Sequence, residues 1–295
     1  MLCNIINDLT RKNMDFSKVK LIVSDLDGTL LNSKHEVSKL FLEQFKILEK
    51  FKVAFVAASG RQYEGIASKL PGIINRISIV AENGAYTQHK GEDFSTEGIP
   101  AYKADDIVEI AKKIPNSCLI LCGKKSAYFE KTSPTLDKKL REYHPSSTIV
   151  NTLTTKVVEH YEDTLLKIAL YHPESSEKYL YPVFKKHFEE QTNTNYKNWL
   201  LKVSGENWLD IANVSTNKGV AINRLQKKLG ISPSETMVFG DFKNDLEMLK
   251  DASFSYAMQN AHPEVKQTAK FETDSNDAFG VEKIIAKVID AYQNK

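Results

Sequence analysis

The chain has 295 residues, with 40 Lys and Arg against 38 Asp and Glu and a net charge of +2, which is length enough for one large domain or two modest ones. No apolar stretch approaches the roughly 20 residues that span a bilayer, and no Lys/Arg run exceeds a pair, so a membrane span and a nucleic-acid surface are disfavoured. Cys3, Cys118 and Cys122 are too few for a disulfide scaffold and fit a reducing cytoplasm.

Residues 1–19 mix Asn, Asp, Arg and Lys, lack the apolar centre of a secretory signal, and read as a disordered leader or an upstream start, without an assigned function. The apolar run Leu21 to Ser24 then predicts a strand ending at Asp25, and Lys39 to Lys50 carries apolar residues at helical spacing. Val53 to Ala58 is a second strand closed by Ser59 and Gly60. A helix over Gln62 to Leu70 and a strand over Ile77 to Ala81 follow. The same alternation returns late, with a helix over Lys218 to Leu229 and a strand over Thr236 to Phe239 ending in Gly240 and Asp241. A helix over Asn244 to Lys250, a strand over Ser253 to Ala257 and a helix over Val281 to Tyr292 complete it. Such alternation predicts an α/β fold, a doubly wound parallel sheet, with Asp25, Ser59 and Asp241 converging outside the carboxyl ends of its strands.

Between these blocks the rhythm changes. Helices are expected over Ala104 to Ile114, Thr135 to Tyr143 and Ser175 to Glu190, and strands over Cys118 to Leu121, Ala127 to Glu130 and Leu165 to Tyr171. This predicts an inserted α+β domain over 88–195, with 20–87 and 196–295 forming the core and hinges near Gln88 to Gly91 and Thr192 to Lys197. Cys118 and Cys122 share one face of the run CLILC and read as small core residues.

The segment SDLDGTLLNS sets Asp25 and Asp27 two residues apart after a buried strand. Two such carboxylates repel unless a cation or proton compensates, which suggests a hard metal ion, although Asp-Gly is also a common turn. GDFKNDLEM repeats the pattern with Asp241, Asn244 and Asp245, where helix capping is the plainer alternative. Ser59, Gly60 and Arg61 lead into a helix whose amino end favours an anion. Lys218 opens a helix at the end that dipole energetics disfavour for a cation, which hints at a phosphate or carboxylate partner.

Taken in order, DLDGT, SGR, the Lys of NKG, and GDFKND resemble the haloacid dehalogenase-like phosphohydrolases, and the insertion is similar to the cap of their Cof-type branch. ENGA (Glu82 to Ala85), AMQNAHPEVKQTA and TDSNDAFGVEKII extend the likeness from about Leu21 to the C-terminus. The resemblance implies a Rossmann-like core with an inserted cap and a phosphatase that forms an aspartyl phosphate on Asp25, with Asp27 as acid and base. It implies Mg2+ held by Asp25, the Asp27 carbonyl and Asp241, with Asp245 close behind. Leu26, Ser59, Gly60, Lys218 and Asn244 would cradle the phosphate. Asp210 and Ala212 depart from the Glu and bulkier residue often found in the family, which bears on the leaving group. Lys124, Lys125, Tyr128, His144 and Trp199 are candidates to touch it. The implied partner is a small phosphorylated metabolite (a sugar phosphate, nucleotide or phosphorylated cofactor), with no obligate protein partner evident; a phosphosugar mutase and a non-catalytic phosphate and magnesium sensor are the alternatives.

Overall fold

A computed structural model of the chain describes residues 14–101, 104–190 and 198–295. In chain order its first strands are β1 (Leu21–Ser24), β2 (Ala54–Ala58), β3 (Ser78–Ala81), β4 (Tyr86–His89), β5 (Glu92–Thr96), β6 (Cys118–Gly123) and β7 (Ala127–Glu130). There follow β8 (Ser147–Val150), β9 (Leu165–Tyr171), β10 (Trp199–Gly205), β11 (Trp208–Asn213), β12 (Thr236–Gly240), β13 (Phe254–Met258) and β14 (Phe271–Thr273). They form two sheets, an eight-stranded one in the order β14-β13-β12-β1-β2-β3-β4-β5 and a six-stranded one in the order β10-β11-β9-β6-β7-β8.

In the first sheet β14 through β3 run parallel, and only β4 and β5 turn antiparallel at one edge. Strands covered on both faces must be apolar throughout, and β1, β3, β12 and β13 are buried at every position. The helix Lys39–Lys50 starts where the Ser38 hydroxyl accepts the Phe41 amide at 2.9 Å, and it buries Phe41, Phe45 and Leu48 at i, i+4 and i+7. Phe41 packs on Phe55 of β2 with ring centroids 4.9 Å apart. The helix Lys218–Leu229 is capped by Asn217, which accepts the Val220 amide at 2.9 Å, and it ends at Gly230 in a left-handed conformation.

Several boundaries differ from the sequence expectation. The β4–β5 hairpin, turning at Lys90 and Gly91, belongs to the first sheet, and β10 and β11 belong to the second, so sheet membership changes after Thr96 and after Asn213 rather than at 88 and 195. Short antiparallel hairpins carry no mark of which sheet they extend, because pairing is decided by distant partners. The expected hinge at Thr192 to Lys197, residues 1–13 and Cys3 lie outside the described residues. The described end of the leader is packed: Phe16–Lys18 form a 3₁₀ turn, Phe16 faces Phe254, and buried Val19 accepts a hydrogen bond from the Tyr292 hydroxyl at 2.8 Å. The helix expected over Ser175 to Glu190 breaks at Leu180 into Ser176–Tyr179 and Tyr181–Glu190, since Pro182 has no N–H to continue the first. Among the described residues no helix is long and apolar enough to cross a membrane.

Phe55→Ala opens a hole against Phe41 and Phe45 and should cost about 3–5 kcal/mol. Thermal melting checks this against Leu40→Ala, which removes a side chain 45% exposed and should leave the midpoint almost unchanged.

Candidate active site

Adjacent β1 and β12 run parallel, with Ser24 beside Phe239, so the residues that follow them emerge side by side. The carboxylates of Asp25, Asp241 and Asp245 present oxygens all within 4.8 Å of one another. Lys218, wholly buried, reaches into this group from the first turn of its helix, with Nζ 2.5 Å from Asp25 Oδ1 and 2.7 Å from Asp245 Oδ1. The other Asp245 oxygen accepts the amides of Asp241 and Phe242 at 2.9 and 3.1 Å, which fixes the loop after β12.

Burial pushes the Asp25 carboxyl up to about 7; the Lys218 ammonium pulls against this and the Asp245 charge adds to it. Asp241 is driven well above the ordinary carboxylate range, first by burial and then by the charges of Asp25 and Asp245. Burial alone would weaken the Lys218 ammonium, but Asp245 and Asp25 outweigh it and hold its pKa up. One ammonium against three carboxylates leaves a deficit of positive charge. An all-oxygen donor set of this kind fits a hard divalent cation such as Mg2+. Gly28 is required beside it: its φ is +76°, and a Cβ there would lie 2.3 Å from Asp241 Oδ2. The Asp-Gly turn and the carboxylate cluster are thus the same feature.

Asp27 is held differently. Its carboxylate takes a two-pronged pair from Arg61, Nε to Oδ2 at 2.6 Å and the terminal nitrogen to Oδ1 at 2.7 Å, and lies 2.9 Å from His35 Nδ1. Burial would raise its pKa, but the hydrogen bonds from His35 and Arg61 prevail and keep it well below the usual range. Arg61 also donates to the Glu142 carbonyl at 3.1 Å, and its guanidinium lies 4.4 Å from the centre of the Tyr143 ring.

Six of the sequence-derived site residues, Asp25, Asp27, Ser59, Gly60, Asp241 and Asn244, line one cavity of about 330 Å3. Lys218 and Asp245 stand behind Asp25, and the Leu26 side chain is buried, which leaves only its backbone amide to serve the cradle. The opposite wall comes from the second sheet and its helices, with Lys139, Tyr143, His144, Lys167, Glu206, Asn207 and Trp208. Of the residues expected at the leaving group only His144 lies there. Lys124 pairs with Asp93, Lys125 donates to the Glu162 carbonyl, and the Tyr128 hydroxyl donates to Asp163. Trp199 packs against the core of the second sheet. The tryptophan of the cavity is Trp208, whose ring meets those of Tyr143 and Tyr171 at tilted and edge-on angles. Arg61 was legible as part of SGR, but its pairing with Asp27 carries no sequence signal.

The family model for haloacid dehalogenase-like hydrolases matches residues 22–285. The chain belongs to that family, and within it to the phosphatases that act on phosphorylated small molecules. It is 33% identical over 275 residues to the 5-amino-6-(5-phospho-D-ribitylamino)uracil phosphatase YbjI of Escherichia coli, covering 92% of this chain and 96% of that one. Among solved structures it resembles SMU.1108c of Streptococcus mutans, with a TM-score of 0.83, 29% identity and coverage of 92% and 99%. A haloacid dehalogenase-like hydrolase of Bacillus subtilis gives a TM-score of 0.77 at 25% identity, covering 91% and 99%.

Because the Asp25 carboxyl is pushed up to about 7 in the folded state and that of Asp241 is raised as well, their stabilising contribution is complete at low pH and is lost as the pH rises, for Asp25 as it passes about 7. In chelator the melting temperature should therefore fall between about pH 5 and about pH 7.5. A melting temperature that climbs over that interval would contradict the charge deficit.

Proposed function

We propose that this chain is a magnesium-dependent phosphatase that hydrolyses phosphate monoesters of small metabolites through an aspartyl phosphate on Asp25. The observation that carries the reading is a buried Asp25 carboxylate, oriented by Lys218, at the floor of a cavity closed on its far side by polar and aromatic side chains. Asp25 attacks phosphorus while Ser59, the Gly60 and Leu26 amides, Lys218 and Asn244 receive the charge that spreads over the phosphoryl oxygens. Asp25, the Asp27 carbonyl and Asp241, with Asp245 bracing the loop, would hold Mg2+, which would add charge neutralisation at those oxygens. Asp27 serves as acid and base. The Arg61 and His35 contacts hold it as an anion, the form that takes a proton from water, and donation to the leaving oxygen requires that clamp to open.

The wall of Tyr143 and Trp208, with Lys139, Glu206 and Asn207 beside it, suits a leaving group that combines a planar ring with hydrogen-bonding groups. The ribitylaminouracil phosphate in the name of the Escherichia coli relative has that character and is the first compound to test.

A phosphate-release screen over sugar phosphates, nucleotides, phosphorylated cofactors and that compound should show release with magnesium and none in chelator. Isomerised ester without free phosphate would point instead to a mutase.

Asp25→Asn should keep the fold and reduce turnover to background, because an amide is neither a carboxylate nucleophile nor an anionic ligand. Retained phosphate release in a clean preparation would remove the covalent mechanism.

A further inference from the structure

The loop Ser59-Gly60-Arg61 has all three of its carbonyls tied down. The Ser59 carbonyl accepts the Asn83 amide at 3.0 Å and the Arg61 carbonyl accepts the Glu82 amide at 3.0 Å. Between them the Gly60 carbonyl accepts from Lys167 Nζ at 2.8 Å, and Lys167 belongs to β9 of the other sheet. Fixing a carbonyl fixes its peptide plane, and hence the direction of the next N–H. The Gly60 N–H belongs to the peptide held through the Ser59 carbonyl. The Arg61 N–H, in the peptide held by Lys167, donates to Ser59 Oγ at 3.1 Å, which leaves the Ser59 hydroxyl hydrogen to point elsewhere.

Lys167 is itself buried among counter-charges from both sheets. Its ammonium lies 2.9 Å from Glu82 Oε2 and 3.1 Å from Asp210 Oδ2, and Glu82 and Lys167 are almost inaccessible. The Asn83 side chain donates to the same Asp210 oxygen at 2.5 Å and accepts from the Asn244 side chain at 2.9 Å. Glu82 and Asn83 adopt left-handed φ values of +50° and +54°, a cost for two residues that are not glycine, which these contacts hold in place. Cys122 and His144 stand near Glu82 with ligand atoms in reach of one another. The Lys167 ammonium already occupies the cation position beside Glu82, so this group is closed around an internal charge.

We infer that Lys167 is a positioning residue for the phosphate cradle: it reaches across from the second sheet, sets the Gly60–Arg61 peptide and with it the Ser59 hydroxyl, and through Asp210 and Asn83 steadies Asn244. The cradle is complete only while the six-stranded sheet is docked. This rests on the phosphatase reading of the site. The competing role is direct contact with the leaving group, since Lys167 also lines the cavity.

The two roles separate on a ligand that has no leaving group. Binding of inorganic phosphate to the full chain with magnesium, followed by calorimetry, should weaken by about 10- to 100-fold in Lys167→Met, the size expected for losing a hydrogen bond to a charged group. Lys167→Arg should recover part of it. KM for p-nitrophenyl phosphate should rise in parallel, while the magnesium concentration for half activation stays put. Asp210→Asn keeps the Lys167–Glu82 pair and the side-chain shape, and provides the measurement if Lys167→Met fails to fold; it should weaken phosphate in the same direction by a smaller factor. Unchanged phosphate affinity in whichever of these variants folds, with loss confined to bulky esters, overturns the inference. Failure of the unaltered protein to bind phosphate at all would overturn the reading of the site beneath it.

Discussion

Three carboxylates facing one buried ammonium is the constraint around which this end of the molecule is arranged. Asp25, Asp241 and Asp245 come from the segments that follow two neighbouring parallel strands, and Lys218 satisfies only Asp25 and Asp245. A lysine at the first turn of a helix opposes the dipole by up to about 1 kcal/mol. Two charged hydrogen bonds at short range offset that, whereas removal of the lysine would strand buried anions at several times that cost. The surrounding backbone is shaped to the same end. Gly28 and Gly240 approach Asp241 and Asp245 so closely that a Cβ at either position would overlap the carboxylate-bearing side chain.

The second sheet is joined to this centre by charge as well as by packing. Arg61 grips Asp27 on one side and the Glu142 carbonyl and Tyr143 ring on the other, and Lys167 grips Glu82 and the Gly60 carbonyl while pairing with Asp210 of its own sheet. Both links start or end on the three-residue loop after β2. Movement of the second sheet is thereby coupled to that loop, and the pairs Lys202–Glu247 and Lys243–Glu177 tie the same sheet and its helices to the segment after β12 that carries Asp241 and Asp245.

What the sequence revealed follows the same division. Asp25, Asp27, Ser59, Asp241 and Asn244 were legible because each sits within a few residues of the end of an apolar strand, and strand ends in a parallel sheet lie together whatever the rest of the chain does. The far wall was not legible. Trp199 and Trp208 are equally plausible by type, but β10 and β11 pair antiparallel with a register shift between Val203 and Gly205, and that register, set by partners on β9, puts Trp208 at the cavity. Lys124, Lys125 and Tyr128 were reasonable by charge and aromaticity, yet acids distant in sequence, Asp93 and Asp163, and the Glu162 carbonyl claim them. Asp210 departs from the family pattern, and its partner Lys167 lies across the strand pair that no local pattern predicts.

The charge pattern also bears on the order in which ligands enter. The metal-free floor, when fully ionised, carries three negative groups against Lys218, and next to it Glu82 and Asp210 face Lys167 alone. Asn83 and Asn244, both neutral, are hydrogen-bonded to each other, and Asn83 donates to Asp210. A phosphate dianion entering that setting meets repulsion at short range in a medium where it is poorly screened. Burial, reinforced by the charges of the neighbouring carboxylates, raises the values of Asp25 and Asp241, so the same floor that repels an anion favours a proton or a cation. On the proposed reading, productive phosphate binding would belong to the protein whose carboxylate floor a cation has first neutralised, since a cation would do so while leaving Asp25 the unprotonated oxygen that a nucleophile needs.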